Sequence, residues 1–460
     1  MNTVWRRLTL LNWHPARWRG GSYLYHLVGL LGPWRAESWL LRYGDWLGTL
    51  LVALVLLLGP FVPTGIVGLV LVGGAGYWLL LTLTETEGPS VTPIHLLVCL
   101  YWAVALLAVA FSPVKSAALS GWMELTLYLL QFALAARVLR SPSRTNILVV
   151  LLLLVSLVVG VYGVRQQFFG AEQLATWNDP TSTLAGNTRV YSYLGNPNLL
   201  AGYLLLPLGF SIAALFAWRR WLPKTLALLA IVINGACLYF TDSRGGWIGM
   251  LVLLVAWLLL LRVWWRERLP RFWRRWLLPL VLGGAAVVLL GAIAALEPLR
   301  LRVMSIFAGR EDSSNNFRLN VWLAVIEMIR DRPLLGIGPG NDAFEAVYPL
   351  YMQPRFTALS AYSIYLEIAA ELGFLGLGLF VWLLAVTLGG GLQALERLRQ
   401  RGDAQGFWLM GALAALAGLL AHGLVDTVWY RPQIQTLWWF CVALIASRYP
   451  LLAPHPDSET

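Results

Sequence analysis

Apolar runs long enough to cross a bilayer recur along the whole chain, and they fix the fold class before any other feature is considered. They fall near 46–62, 65–83, 94–112, 119–137, 145–164, 198–217, 224–240, 245–261, 276–296, 364–390, 406–424 and 432–447. Crossing about 30 Å of hydrocarbon takes roughly 20 apolar residues in a helix. In lipid a lone segment satisfies its own backbone N–H and C=O groups only as a helix. The reading is therefore all-α: a polytopic membrane protein of about twelve transmembrane helices. Composition agrees, since 58% of the residues are hydrophobic and mean hydropathy is +0.67. Charged residues make up 12%, about half the usual globular share.

The net charge is +11. In a soluble chain that surplus would suggest a nucleic-acid partner. Here the basic residues gather in alternate loops, as they do on the cytoplasmic side of membrane proteins, and no nucleic acid is implied. With the N-terminus in the cytoplasm, the inside segments hold 22 of the 34 Lys and Arg, the outside segments 12. Seven of those 12 lie in one long loop, and long loops translocate regardless of charge. The expected plan is a bacterial inner-membrane protein with both termini cytoplasmic. Residues 1–45 form a cytoplasmic or interfacial segment, and 46–296 carry nine helices with a periplasmic loop at 165–197. A long periplasmic loop follows at 297–363, then three helices at 364–447 and a tail at 448–460. Residues 1–45 lack a clean apolar core and a small-residue cleavage site, so no removable signal peptide is expected. Tyr23 to Trp34 is short and broken by Gly and Pro, as interfacial segments are. Cys99, Cys237 and Cys441 all sit in apolar runs without metal spacing. They read as buried small hydrophobes, with no disulfide, metal site or cofactor.

The longest stretch without a membrane-length run, Glu297 to Gly373, is where chemistry is expected. It holds the arginines Arg300, Arg302 and Arg310, an amphipathic helix, and the turn Gly336-Ile337-Gly338-Pro339-Gly340. Asn315-Asn316-Phe317-Arg318 opens the helix. At 100° per residue, Arg318 falls in the middle of an apolar stripe formed with Trp322, Val325, Ile326 and Ile329, and Glu327 faces water. An arginine on the packing face of a first helical turn, beside free N–H groups, makes an anion site. It equally suits a guanidinium snorkelling to a carboxylate or to the bilayer surface.

Thr241-Asp242-Ser243-Arg244-Gly245-Gly246 reads as a tight external turn between two spanning helices. Asp242 or Ser243 caps the second helix. Arg244 then sits at the positive end of its dipole, where either an anionic ligand or Asp242 offsets the charge. Upstream, Gly195-Asn196-Pro197-Asn198 turns into a helix with Asn198 as its candidate N-cap. His422 and Asp426 are four residues apart and followed by Arg431. The pair either orients an imidazole for proton transfer or clasps two helices. Glu367 and Glu371 share that spacing and are candidates to neutralise loop arginines. No Asp or Glu is expected near the centre of a span, and Glu124 and Asp426 lie within about two turns of an end. Ion-coupled transporters usually place such groups near the midplane, often on broken helices, and the sequence advertises no such arrangement.

Five stretches, in this order and spacing, resemble the O-antigen ligase and polymerase superfamily. They are Gly195-Asn-Pro-Asn-Leu-Leu-Ala-Gly, Asp242-Ser-Arg-Gly-Gly-Trp, Phe317-Arg-Leu-Asn-Val-Trp, Leu335-Gly-Ile-Gly-Pro-Gly, and Ser363-Ile-Tyr-Leu-Glu through Glu371-Leu-Gly-Phe-Leu-Gly. Ala358-Leu-Ser-Ala-Tyr-Ser-Ile-Tyr-Leu-Glu and Ala421-His-Gly-Leu-Val-Asp-Thr-Val-Trp-Tyr-Arg-Pro are similar to the cyanobacterial IctB group, named for inorganic-carbon (bicarbonate) transport. The ligase resemblance implies metal-independent, inverting glycosyl transfer from a polyprenyl-diphosphate (undecaprenyl-type) glycan, with Arg244 and Arg318 on the diphosphate. The family histidine before the tenth helix is replaced here by Tyr362, followed by Ser363. A phenol with a reference pKa near 10 is a poor general base. Asp242, Asn316, Ser363, Glu367, Glu371, His422, Asp426 and Arg431 are the candidate supporting residues. Three readings stay open: a transferase for lipid-linked glycans, a bicarbonate carrier or its accessory, and a non-catalytic scaffold that binds an anionic lipid.

Overall fold

The structure, a computed structural model, describes residues 3–10, 13, 26–85, 91–172 and 189–449. Residues 173–188 of loop 165–197, part of Tyr23 to Trp34 and the tail from 450 lie outside them. Among the described residues there is no strand. The main helices in chain order begin with α1 (Gly44–Leu58), α2 (Thr64–Leu83), α3 (Pro93–Phe111), α4 (Lys115–Val138) and α5 (Pro142–Phe169). Then come α6 (Pro197–Ala217), α7 (Trp221–Phe240), α8 (Arg244–Trp264), α9 (Arg271–Ala295) and α10 (Glu297–Phe307). The last five are α11 (Ser313–Asp331), α12 (Asn341–Val347), α13 (Ile364–Arg401), α14 (Gln405–His422) and α15 (Pro432–Ser447).

Each of the twelve expected runs is a helix, and 10 of them have the length and apolarity to cross a membrane. The other two, α1 and α15, have 15 and 16 residues. At 1.5 Å per residue they fall short of the hydrocarbon thickness. α15 is buried in the bundle against α4 and α14, so it has little need of lipid-facing length.

α6 is the centre. It packs on α14, α7 and α8 and is buried on nearly every side. Paired glycines let backbones approach: a Cβ on Gly209 would stand 2.8 Å from the Gly411 carbonyl oxygen, and one on Gly249 2.8 Å from that of Gly418. Lipid supplies no hydrophobic drive between helices, so such close van der Waals packing carries association. α9 is the opposite case. None of its residues is buried, and it packs mainly on α8 and α10 among the described residues.

The loops sort to two ends of the bundle. At one end Arg137 pairs with Asp45 (3.0 Å) and Glu85, Arg144 with Asp45 (3.1 Å), and the Tyr449 hydroxyl reaches the Thr9 carbonyl (3.4 Å). At the other, the long loop folds back on the helix ends. α11 and α12 bury Val321, Val325, Met328, Phe344 and Tyr348 in a small core of their own. That core corrects the expected stripe on α11. The buried face is centred on Val321, Val325 and Met328, so Arg318 lies at its edge. Trp322 and Ile326 face open clefts instead.

α13 is broken. Gly373 has φ 64° and ψ −169°, a conformation suited to glycine. The Gly336–Gly340 turn takes over the backbone groups freed there. Ile337 N–H donates to the Ala370 carbonyl (2.9 Å), Gly338 N–H to that of Glu371 (2.9 Å), and Phe374 N–H to that of Pro333 (2.7 Å). Cys237 and Cys441 are buried as expected, but Cys99 faces outward from α3.

Candidate functional site

The turn before α8 presents Arg244. Ser243 is the N-cap, its hydroxyl accepting from Gly246 N–H at 3.2 Å. Asp242 precedes it with φ 52°. Arg244 does not pair with Asp242. Its guanidinium donates to Asp312 Oδ1 at 2.8 Å and to the carbonyl and hydroxyl of Ser305 at 3.0 Å each. Asp312 is also the N-cap of α11, accepting from Asn315 N–H at 2.8 Å. One carboxylate thus serves a helix dipole and a guanidinium together. Burial pushes the Asp312 carboxyl up. The bonds from Arg244 and Asn315, with the charges of Arg244 and Arg302, outweigh burial and hold it below the usual range.

Arg318 sits in the first turn and a half of α11. Its Nε donates to the Val425 carbonyl (2.8 Å) and its Nη1 to Ser314 Oγ (2.7 Å), while Nη2 stands 3.6 Å from Asp426. Arg244 and Arg318 line the same cleft of about 260 Å³, with Asn315, Ile306, Trp322 and Val425. The wall is mixed: two guanidiniums and an amide on one part, apolar side chains on the rest.

Two more arginines back this cleft. Arg302 holds Asp242, donating to its carbonyl (2.6 Å) and lying 3.0 Å from its carboxylate. Arg189 donates to the Thr241 carbonyl (3.1 Å) and to Asn198 Oδ1 (3.2 Å). Burial, then the neighbouring charge of Arg302, lowers the Arg189 guanidinium to about 10. Burial also raises the Asp242 carboxyl, despite Arg302, Arg189 and Arg244. Arg189, Arg244, Arg302 and Arg318 face Asp242, Asp312 and Asp426, so the cations outnumber the carboxylates among the described residues. A site with surplus guanidinium at helix starts suits an anion.

Tyr362 stands beside this cluster. It has φ 51°, packs edge-on against Phe317 at 5.3 Å, and is half-buried. Burial, with Asp426 and Tyr430 nearby, raises its phenol further above its ordinary value, against the pull of Arg318. Tyr362 is therefore a hydroxyl at neutral pH and no proton acceptor. His422 is fully buried, packed on Gly245 and Gly249, and neither ring nitrogen has a hydrogen-bond partner. The expected His422–Asp426 pair does not form, because Asp426 turns to Arg318.

Other expectations are corrected by position. Asn315, not Asn316, lines the cleft; Asn316 accepts from Arg310 and Asn320 instead. Asn196, not Asn198, caps α6, accepting from Asn198 N–H at 2.8 Å. Ser363 is buried at the start of α13 with no capping bond from its side chain. Glu367 and Glu371 do not reach the arginines. They line a separate cavity of about 110 Å³ with Glu124, next to the break in α13. Arg431 lies away from the cleft, over the Tyr430 ring at 5.0 Å. Asp312 and Ser305 were missed in the sequence. The signal for Asp312 was an acidic residue just before a polar helix start.

Residues 229–381, about a third of the chain, match the family model described as O-Antigen ligase. The matched stretch contains Arg244, Arg318, Tyr362 and the break at Gly373, and supports placement in that superfamily. No curated protein matches the chain.

Proposed function

We propose that this membrane protein binds a polyprenyl-diphosphate-linked glycan in the Arg244–Arg318 cleft for glycosyl transfer. One observation carries the reading: both guanidiniums line a single cleft whose remaining wall, apart from the Asn315 amide, is apolar. A diphosphate takes up bidentate arginine bonds, and an isoprenoid takes up apolar wall. Asp312 and Asp426 act as resident counter-ions that a more highly charged ligand displaces. Tyr362 supplies a hydroxyl for positioning the ligand and no base, so transfer in this chain rests on charge stabilisation of the leaving diphosphate, which takes up the acceptor hydroxyl's proton as its bond to the sugar breaks. The test is reconstitution with a lipid-diphosphate saccharide and candidate acceptors. Transfer lost in Arg318→Ala supports the reading. Tight binding without turnover in any preparation, Tyr362→His included, would leave only the scaffold reading.

Bicarbonate carriage is the second reading, and the break at Gly373 favours it, since transporter helices break at their ion sites. Against it stands the lining of the cavity beside the break, which carries three acidic side chains and no lysine, arginine or histidine to hold an anion. Gradient-driven bicarbonate flux into proteoliposomes would establish this reading over transfer.

A further inference from the structure

α9 stands away from the bundle along most of its length. Residues 265–270 join it to α8, and so short a connection normally leaves two spanning helices packed side by side. α8 gives its packing to α14 and α6 instead. α9 is tied back near its two ends. At one, Arg262 of α8 donates to the Arg274 carbonyl at 3.1 Å, and Leu277 and Leu278 are half-buried. At the other, Ala292 and Ile293 are half-buried, and α10 follows, with Arg302 on Asp242 and Ser305 on Arg244. Between these ties, residues 279–291 are exposed without exception. A Cβ on Gly283, Gly284 or Gly291 would meet nothing within 4 Å. On α8, Leu251, Leu254 and Leu259 stay exposed as well. Two apolar helices tied at their ends and unpacked between them leave room for hydrocarbon chains.

The end at the α8–α9 connection carries charge. Arg262, Arg266, Arg268, Arg271, Arg274 and Arg275 stand within residues 262–275 against one acidic residue, Glu267. Glu267 is already taken by Arg399 at 2.9 Å, and Glu396 of α13 takes Arg399 (2.7 Å) and Arg266 (2.9 Å). Among the described residues, Arg268, Arg271, Arg274 and Arg275 have no carboxylate partner. The last three lie in the first turns of α9, where no acidic residue or capping side chain offsets them and the helix dipole opposes a cation. Phe272, Trp273 and Trp276 are exposed among them, and Arg275 lies over the Trp276 ring at 5.8 Å. Arginine interleaved with tryptophan is the composition of the headgroup level of a bilayer. Uncompensated guanidiniums at that level call for phosphate. A zwitterionic headgroup would bring a further ammonium to a patch that is already basic; an anionic headgroup would not.

We propose that the wedge between α8 and α9 holds an anionic phospholipid, with its phosphate on Arg268, Arg271 and Arg275 and its acyl chains along the exposed middle of α9. The site lies at the far end of α8 from the arginine cleft, and it does not depend on the transfer reading.

The experiment strips the full-length protein of lipid in mild detergent, then adds back dioleoylphosphatidylglycerol or dioleoylphosphatidylcholine. Native mass spectrometry counts the lipid retained, and the melting temperature reads its effect. Phosphatidylglycerol is expected to be retained in preference to phosphatidylcholine and to raise the melting temperature. Arg271→Gln/Arg275→Gln should weaken that retention about tenfold or more, since each arginine beside an anionic headgroup contributes about fivefold. Both side chains are exposed, so the variant should melt like wild type in phosphatidylcholine. Arg268→Gln, in the connection, serves if that pair does not fold. Arg6→Gln/Arg42→Gln removes two exposed arginines elsewhere at the same end of the bundle and should leave retention unchanged. If it weakens retention as much as the α9 pair does, the effect is diffuse surface charge and the proposal falls. Equal retention of the two lipids also overturns it. So does a rise in melting temperature reproduced by glycerol phosphate, which has the headgroup charge and no chains.

Discussion

Asp312 shows how much one side chain decides at this site. It caps α11 and neutralises Arg244 at once. Two substitutions separate those tasks. Asp312→Asn keeps a capping oxygen and removes the charge; we expect a modest loss of thermal stability at neutral pH and tighter farnesyl diphosphate binding, because Arg244 loses its resident counter-ion. Asp312→Ala loses the cap as well, at a cost of about 1 kcal/mol. Weaker diphosphate binding in Asp312→Asn would show that Asp312 positions the arginine and does not compete with the ligand. The pH dependence has a defined sign. The Asp312 carboxyl is held below its ordinary value in the folded protein. Its contribution is therefore complete above the unfolded value of about 3.9 and is lost as pH falls through the lower folded one. Acid unfolding curves of wild type and Asp312→Asn should converge in that window, and curves parallel throughout would contradict the assignment. The position of Arg244 at a helix start was legible in the sequence. Its partner was not, since Asp312 lies 68 residues away and only tertiary folding brings the two together.

At the scale of elements, the decisive one is the interrupted α13. Its break was hidden in the sequence because Glu371-Leu-Gly-Phe-Leu-Gly sits inside a run that stays apolar. One glycine in a helix is ordinary, and nothing local announces φ 64°. The partner motif was visible, as Gly336-Ile337-Gly338-Pro339-Gly340, but its task of pairing with another helix's backbone was not. A Cβ on Gly373 would stand 2.3 Å from the Leu334 carbonyl, whereas one on Gly378, in the same helix, meets nothing within 4 Å. Gly373→Ala should lower the melting temperature sharply or abolish a monodisperse preparation, with strain of order 1–3 kcal/mol before any clash is counted. Gly378→Ala should be tolerated. Similar melting curves for the two would mean that the break does not persist in the membrane. The stripe on α11 was misjudged for a related reason: a helical wheel finds the apolar face but not which part of it meets a core and which lines a cleft.

For the whole molecule, apolar periodicity gave the helices, because span length is a local property. The two ends of the bundle also separate as alternating loops require, with Thr9 and Tyr449 together at one and the long loop at the other. The arginine count is our ground for proposing that the Thr9–Tyr449 end faces the cytoplasm, and the proposal can be checked. Leu350 is exposed on the long loop, and Arg401 is exposed at the other end of α13. Leu350→Cys should react with a membrane-impermeant maleimide once the outer membrane is opened, and Arg401→Cys only after lysis. The reverse pattern would invert the orientation and place the arginine cleft in the cytoplasm.

The central claim is that Arg244 and Arg318 hold one anion between them. A double-mutant cycle on farnesyl diphosphate affinity, in nanodiscs at fixed ionic strength, tests it most directly. Each single alanine variant should weaken binding about tenfold to a hundredfold. The double variant should lose less than the two losses combined, with a coupling of about 1 kcal/mol or more, since both groups serve the same diphosphate. Losses that simply add, or no loss at all, would contradict the account.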